Sequence, residues 1–217
     1  MSVTFWSDVG CPWATLAVWR WHEECRRAGL PVEIDHRAFP LELLNHRSTP
    51  KQVLDAEVPV VGALEPGFGF RLWSQPDWQW PVTTLPAIEA VQAAKEQSLA
   101  ASTALDLALR RALFVDSRCI SMEHVIADVA GTVDGLDVDA LFEAVRSGRP
   151  RRRVAEDLEE ARSDDVQGSP HVFVGDRSMA NPGIEMHWEG TPGEGGYPVV
   201  DSDDSSVYGA LIATASS

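Results

Sequence analysis

The N-terminal part of the chain constrains the fold most strongly, because it predicts a β-α-β unit. Val3–Ser7 is a short apolar strand, and an amphipathic helix follows over Pro12–Ala28. Gly29 and Pro31 end this helix, since glycine supplies its C-terminal stop and proline forbids its resumption. A second strand is expected over residues 32–39. Two strands joined by a helix in this way should be parallel, with a right-handed crossover.

Cys11 lies at the start of this first helix. Pro12 is tolerated directly after it, because the first turn of a helix has no partner for the missing N–H. Unpaired N–H groups and the helix dipole favour a thiolate on Cys11, whereas the nearby Asp8 would raise its pKa. A C-x-x-C redox motif would have its second cysteine where this sequence has Ala14. The site therefore resembles a dithiol motif that lacks its second thiol.

Between residues 41 and 165 the pattern becomes mostly helical. The predicted helices are a turn at 41–44 and longer segments at about 84–97, 100–114, 122–130, 138–146 and 154–161. Residues 58–81 are rich in proline and glycine and are expected to be irregular. A block of this length is too long for a loop and large enough for a subdomain.

Strand signals return towards the C-terminus. Residues 171–174 and 177–180 flank a Gly-Asp pair, which predicts a tight antiparallel hairpin. Residues 181–200 contain five glycines and three prolines and are expected to be a loop. The polar cluster at 203–205 should then cap a final helix.

Charge and cysteine usage narrow the functional classes. The chain has 217 residues, a net charge of -15 and three cysteines. Such acidity argues against binding to nucleic acid or to an anionic membrane surface, and no apolar run approaches the roughly 18 residues of a membrane span. An odd number of cysteines without framework spacing fits a reducing compartment, so a cytoplasmic location is expected. Neither a metal-ligand spacing nor a phosphate-binding glycine turn is present, so no metal and no bound cofactor are predicted.

Five motifs in a fixed order carry a resemblance to a known family. They are DVGCPWA at 8–14, RAFPL at 37–41, LDLALRRALF at 105–114, GSPHVFV at 168–174 and NPG at 181–183. Together they resemble the DsbA family of thioredoxin-like oxidoreductases. The most similar branch is the FrnE-like one, which is related to kappa-class glutathione transferases and hydroxychromene carboxylate isomerases. The resemblance implies an α/β thioredoxin fold with a large helical insertion: residues 1–40 and 166–217 would form the thioredoxin-like domain, and 41–165 the insertion.

The resemblance also implies the layout of the site. Ser169-Pro170 would be a cis-proline loop that faces the nucleophile Cys11 and turns the Ser169 backbone towards an incoming peptide or thiol. The residues implied in substrate or thiol binding are Pro12, Trp13, Ser169, Pro170 and His171. The sequence departs from the family pattern at Ala14, which excludes the usual intramolecular dithiol cycle at this motif.

Cys25 and Cys119 are the other thiols. Cys25 lies further along the helix that begins after Cys11, and at about 1.5 Å per residue the two are about 21 Å apart. A disulfide needs Cα atoms closer than about 7 Å, so Cys25 is excluded as a resolving thiol and is expected to pack in the core. Nothing in the sequence fixes the distance of Cys119 from Cys11.

Several aromatic and charged residues have both a functional and a structural interpretation. The tryptophans within residues 73–80 either line a groove over Cys11 or fill the core. Trp13 either stacks on a substrate or covers the helix start. His171 either orients a thiol ligand or is a structural strand histidine. The basic residues at 149–153 form either a solvated helix face or an anion-binding site.

Three functions remain open. The first is a thiol-disulfide oxidoreductase in which Cys11 forms a mixed disulfide with a protein or small thiol, and glutathione or another low-molecular-weight thiol releases it. The second is a glutathione-dependent transferase or isomerase of the kappa-related kind, which activates a bound thiol and needs no second cysteine. Relatives of that kind tend to carry serine at the position of Cys11. The third is a non-catalytic binding module. Either a monomer or a homodimer is compatible with each.

Overall fold

A four-stranded mixed sheet forms the centre of the protein. The computed structural model describes residues 3–163 and 166–216. The strands of this sheet are β1 (Val3–Ser7), β2 (Asp35–Ala38), β3 (His171–Val174) and β4 (Arg177–Ala180). Their order is β2-β1-β3-β4, in which β1 runs parallel to β2 and antiparallel to β3, and β3 pairs with β4 as a hairpin. The predicted β-α-β unit and the predicted hairpin are both confirmed.

The helix that joins β1 to β2 is α1 (Pro12–Ala28). It ends where the sequence predicts, at Gly29, which has a φ of 66°. The second strand is shorter than the predicted 32–39. Its pairing begins later because the N–H of Ile34 donates to Oγ1 of Thr103 at 2.9 Å instead of to a strand.

Most of the chain between β2 and β3 is helical, as predicted. The described residues form α2 (Leu41–Leu44), α3 (Lys51–Leu64), α4 (Leu85–Lys95), α5 (Leu99–Phe114), α6 (Glu123–Ala130), α7 (Val138–Ser147) and α8 (Arg149–Ser163). The prediction of irregular structure from residue 58 is wrong at its start, because α3 continues to Leu64. Pro59 lies inside this helix on an exposed position, where its ring meets solvent and the helix loses one backbone hydrogen bond.

The prediction that residues 181–200 form a loop is also wrong. This segment contributes to a second, antiparallel sheet of β5 (Ile184–Glu189) and β6 (Tyr197–Asp203). The glycines that suggested a loop are concentrated in the turn at 190–196, where three of them have positive φ. A last helix, α9 (Val207–Ser216), follows the second sheet.

Helices cover both faces of the main sheet. On one face α1 and α9 pack against β1 and β3, and the rings of Trp21 and Phe5 meet edge to face with centroids 5.7 Å apart. Cys25 is fully buried in this core, which confirms its predicted packing role. On the other face Ala161 of α8 packs near Trp6. Within residues 3–163 and 166–216, no helix has both the length and the hydropathy that crossing a membrane requires.

His36 of β2 is a buried histidine whose ring nitrogens have no hydrogen-bond partner among the described residues. Its Nδ1 lies 3.7 Å from Oδ1 of Asp106, which is too far for a hydrogen bond. Burial lowers the pKa of His36 from 6.5 to about 4, although Asp106 opposes this shift. The unfolded chain therefore binds a proton here at a higher pH than the folded protein does. As a result, stability falls as the pH drops from 6.5 towards 4.

We expect His36→Phe to flatten this part of the stability curve. The free energy of unfolding falls between pH 6.5 and pH 4 in the unmodified protein. Because phenylalanine binds no proton, this decrease should be smaller by about 3 kcal/mol in His36→Phe. Urea unfolding at several pH values measures the difference, with the exposed His124→Gln as control. An unchanged pH dependence in His36→Phe would contradict a buried, neutral His36.

Candidate active site

Cys11 caps the N-terminus of α1 and faces the loop before β3. Its Sγ donates a hydrogen bond to the carbonyl oxygen of Ser169 at 3.2 Å and accepts one from the N–H of Ala14 at 3.4 Å. Pro12 occupies the first helical position, and the peptide bond between Ser169 and Pro170 is cis. The structure therefore brings Cys11, Pro12 and the Ser169-Pro170 loop together.

The other two predicted site residues make contacts of a structural kind. Trp13 is 8% exposed, and its Nε1 donates to Oε1 of Glu57 at 3.0 Å, so the indole covers the helix start. His171 is 2% exposed. Its Nδ1 accepts from the N–H of Gln167 at 3.1 Å, and its ring packs against Phe173. These contacts favour the structural interpretation of both side chains.

Cys11 is shielded from solvent by two elements that the sequence did not predict. It is 6% exposed. It belongs to an apolar cluster that includes Val61 from α3 and Ile184, Met186 and Val200 from β5 and β6. Because α3 precedes the loop of Ser169 by about a hundred residues and the second sheet follows it, distant parts of the chain enclose the sulfur.

Burial raises the pKa of the Cys11 thiol to about 12. This value includes the effect of the Glu57 and Asp8 carboxylates, which also raise the pKa, and together with burial they outweigh the N–H of Ala14 at the helix start, which lowers it. The expectation that the helix N-terminus makes Cys11 a thiolate is therefore wrong for the resting protein. At neutral pH Cys11 is a buried, neutral thiol that acts as a hydrogen-bond donor.

Asp8 organises the turn that follows β1. Its Oδ1 accepts from the N–H of Gly10 at 2.8 Å. Its Oδ2 accepts from the N–H of Leu41 at 2.9 Å and from Oγ1 of Thr84 at 3.2 Å. The N–H of Asp8 in turn donates to Oγ of Ser169 at 2.9 Å. The sequence indicated only a nearby charge, whereas the structure makes Asp8 a link between the turn, the helical segment and the cis-proline loop.

Glu57 is a residue of this site that the sequence analysis missed. It lies on α3, one helical turn before Val61, and accepts the hydrogen bond of Trp13. Burial raises the pKa of Glu57 to about 7, although the Trp13 hydrogen bond opposes this shift. A single glutamate forms no motif, and its contact with Trp13 exists only because α3 packs on α1. No signal in the sequence pointed to it.

None of the tryptophans at 73–80 belongs to the apolar cluster of Cys11. Trp73 and Trp80 meet edge to face with ring centroids 5.1 Å apart and pack against the core of the helical segment. Trp78 is 81% exposed. The core-filling interpretation is therefore confirmed for Trp73. Trp80 packs on the same core but also lines a small cavity with Asp8 and Gly10, in the turn before Cys11.

Cys11, Cys25 and Cys119 are all free thiols. Cys25 is fully buried, and burial raises its pKa to about 11. Cys119 is half-buried in the turn after α5. The site therefore has one thiol at the start of α1 and no disulfide partner for it in this structure.

The basic run at 149–153 is a solvated helix face, as the structural interpretation predicts. Arg149 pairs with Glu96, and Arg151, whose side chain is 75% exposed, pairs with Glu89. Arg153 pairs with acidic residues of its own helix, α8. These ion pairs account for Arg149, Arg151 and Arg153, and Arg152 is exposed on the same helix.

Over residues 2–188 the chain matches the DSBA-like thioredoxin domain. Among curated proteins, none matches the chain in sequence. Solved structures with a similar fold include a probable DsbA oxidoreductase from Streptomyces coelicolor. That pair has a TM-score of 0.65 at 20% identity, and the alignment covers 99% of this chain and 89% of the other.

Two further solved structures share the fold. One is a 2-hydroxychromene-2-carboxylate isomerase, with a TM-score of 0.60, 19% identity, and coverage of 82% of this chain and 88% of that one. The other is the cytosolic disulfide reductase DsbM from Pseudomonas aeruginosa with GSH, with a TM-score of 0.56, 18% identity and the same coverage of 82% and 88%. The predicted α/β thioredoxin fold with a helical insertion is confirmed.

Proposed function

Because this chain belongs to the DSBA-like thioredoxin domain family, we propose that it is a thiol-disulfide oxidoreductase with Cys11 as its only nucleophile. The observation that carries this proposal is the position of Cys11 Sγ, at the start of α1 and 3.2 Å from the Ser169 carbonyl. A sulfur at this position can bond to a substrate sulfur while the substrate backbone lies along the Ser169 loop. Ala14 has no sulfur, so an external small thiol such as glutathione completes the cycle.

The reaction consists of two thiol-disulfide exchanges. In the first, the Cys11 sulfur attacks a substrate disulfide and forms a mixed disulfide, and the released substrate sulfur leaves as a thiol with the proton of Cys11. In the second, the external thiol attacks the substrate sulfur of the mixed disulfide and restores the Cys11 thiol. Each exchange breaks one S–S bond and forms another, so electrons balance without a bound cofactor.

The mixed disulfide also frees a hydrogen-bond acceptor. In the resting protein the Cys11 S–H donates to the Ser169 carbonyl, and the mixed disulfide has no S–H. The carbonyl can then accept from a backbone N–H of the substrate, as in the addition of a strand. We therefore assign Ser169 and Pro170 to substrate binding, whereas Trp13 and His171 support the local structure.

The domain organisation, the partners and the cellular location are part of the same proposal. We assign the chemistry to a thioredoxin-like domain of residues 1–40 and 166–217 and take residues 41–165 as the helical insertion, whose α3 covers Cys11 together with the β5–β6 sheet. The partners are a disulfide-containing protein or small molecule and a small thiol, in the cytoplasm, with the chain acting as a monomer or homodimer. A structure of the same fold is a cytosolic disulfide reductase solved with GSH, which supports both the compartment and the thiol.

Cys11→Ser should reduce glutathione-dependent reduction of a small disulfide to the rate of glutathione alone. Cys119→Ser, which changes a half-buried thiol outside the site, should keep the full rate. Mass spectrometry of the unmodified protein during turnover should find a mixed disulfide on Cys11. Full activity in Cys11→Ser would contradict the proposal.

One observation favours a second candidate function. The neutral Cys11 thiol donates a hydrogen bond much as a hydroxyl does, and such a donor can stabilise the thiolate of a bound glutathione in a transferase or isomerase. In that case Cys11→Ser would retain saturable glutathione binding and turnover of an electrophile, and no mixed disulfide would form. A binding module without catalysis would bind its ligand and turn over neither substrate.

A further inference from the structure

Glu57 lies beside the helix start that carries Cys11. Its Oε1 is held by the indole of Trp13 at 3.0 Å, whereas no donor among the described residues bonds to its Oε2. Val61, one turn further along the same face of α3, packs in the apolar cluster of Cys11. This periodicity turns the Glu57 carboxylate towards α1 with one oxygen available.

We propose that Glu57 accepts the thiol proton of Cys11 as the sulfur attacks a disulfide, and then returns that proton to the departing sulfur. This inference rests on the proposed oxidoreductase function. In the resting protein the S–H donates to the Ser169 carbonyl and not to Glu57, so it leaves that acceptor before Glu57 takes the proton. The S–S bond between Cys11 and the substrate forms, the substrate S–S bond breaks, and the leaving sulfur departs as a neutral thiol.

The charges around the sulfur explain why such an acceptor is needed. Burial and the carboxylates of Glu57 and Asp8 disfavour a free thiolate on Cys11. When Glu57 takes the proton, the sulfur gains a negative charge and the carboxylate loses one, so the total buried charge is unchanged. A general base activates a nucleophile of high pKa in the same manner in other enzymes.

The surroundings leave Glu57 free to exchange a proton. Charged side chains on the elements that pack against α3 are already paired: Arg20 with Glu65 and Asp203, and Asp201 with His187. Within the described residues, burial is therefore the main influence on Glu57 and raises its pKa to about 7. A carboxyl group with this pKa both accepts and returns a proton near neutral pH.

Glu57→Gln tests the proposal, because glutamine keeps an acceptor for Trp13 but binds no proton. The probe is the rate at which Cys11 is modified by oxidised glutathione or iodoacetamide, followed by mass spectrometry between about pH 6 and pH 9. In the unmodified protein we expect the rate to rise through about pH 7 and then level off. In Glu57→Gln we expect a rate at least about tenfold lower at pH 7.5, with no plateau.

Trp13→Phe is the companion variant. It keeps the Glu57 carboxylate and removes the hydrogen bond that lowers its pKa, so the midpoint of the pH profile should move to higher pH. A faster reaction of Glu57→Gln at pH 7.5 would overturn the proposal, because Glu57 would then only repel the thiolate. If Cys11→Ser keeps full disulfide turnover while Glu57→Gln still slows the modification of Cys11, the proton transfer is supported and the oxidoreductase function fails.

Discussion

Replacing Arg110 with methionine is expected to lower the free energy of unfolding by about 3 to 5 kcal/mol. Arg110 of α5 is fully buried, and its Nε donates to Oδ2 of Asp106 at 2.6 Å. Asp106 is 1% exposed, and besides Arg110 the titratable groups that act on it among the described residues are His36 and His22, which burial keeps neutral near pH 7. Without Arg110 the carboxylate would remain buried without an opposite charge, and this accounts for the size of the loss.

The same guanidinium also holds the turn that carries Cys11. Its Nη1 donates to the carbonyl of Asp8 and to Oγ1 of Thr15, both at 3.1 Å, and its Nη2 donates to Oγ of Ser7 at 2.9 Å. These groups belong to the end of β1, the turn after it and the first turn of α1. We therefore expect Arg110→Met to increase the alkylation rate of Cys11 as well.

Two variants separate a lost ion pair from lost volume. Arg26→Met removes an exposed pair with Glu23 and should leave the free energy of unfolding nearly unchanged. Arg110→Met combined with Asp106→Leu leaves neither charge buried and should recover most of the stability lost by Arg110→Met alone. Equilibrium urea unfolding measures all three. A loss for Arg110→Met as small as that for Arg26→Met would contradict the assignment of Asp106 as a buried, ionised carboxylate.

Local signals in the sequence were sufficient to predict the first β-α-β unit and the β3–β4 hairpin. Gly29 and Pro31 mark the end of α1, and a Gly-Asp pair marks the turn between β3 and β4. The order of the motifs then indicated the thioredoxin fold and brought Cys11 to the Ser169-Pro170 loop. Each of these features depends on a few neighbouring residues, or on motifs whose arrangement the family shares.

The environment of Cys11 could not be predicted in the same way. The prolines and glycines of residues 58–81 suggested irregular structure, and the glycines of 181–200 suggested a loop, so neither α3 nor the β5–β6 sheet was expected. These are the elements that cover the sulfur. Without them the helix dipole alone predicts a thiolate, whereas their burial of Cys11 and the approach of Glu57 raise its pKa. The wrong expectation about Cys11 follows directly from two missed elements.

Gly183→Ala is expected to destabilise the protein by more than about 2 kcal/mol and to expose Cys11. The φ of Gly183 is 76°, and an added Cβ would lie 2.2 Å from the backbone oxygen of Asp204. The two segments cannot easily separate, because the N–H of Asp204 donates to the carbonyl of Gly183 at 2.7 Å. Ile184, the first residue of β5, packs in the Cys11 cluster. Displacing this strand should therefore open one side of the site.

Gly175→Ala is the matched control, because its φ is 60° but an added Cβ would have no atom within 4 Å. Gly175→Ala therefore has the same backbone strain as Gly183→Ala but no steric clash. We expect this strain to lower the free energy of unfolding by about 1 kcal/mol and to leave the alkylation rate of Cys11 unchanged. Urea unfolding and the rate of alkylation by iodoacetamide measure the two effects separately. If Gly183→Ala loses stability but Cys11 reacts at the unmodified rate, β5 does not limit access to the sulfur. The burial that raises the Cys11 pKa would then come mainly from α3, the helix that also carries Glu57.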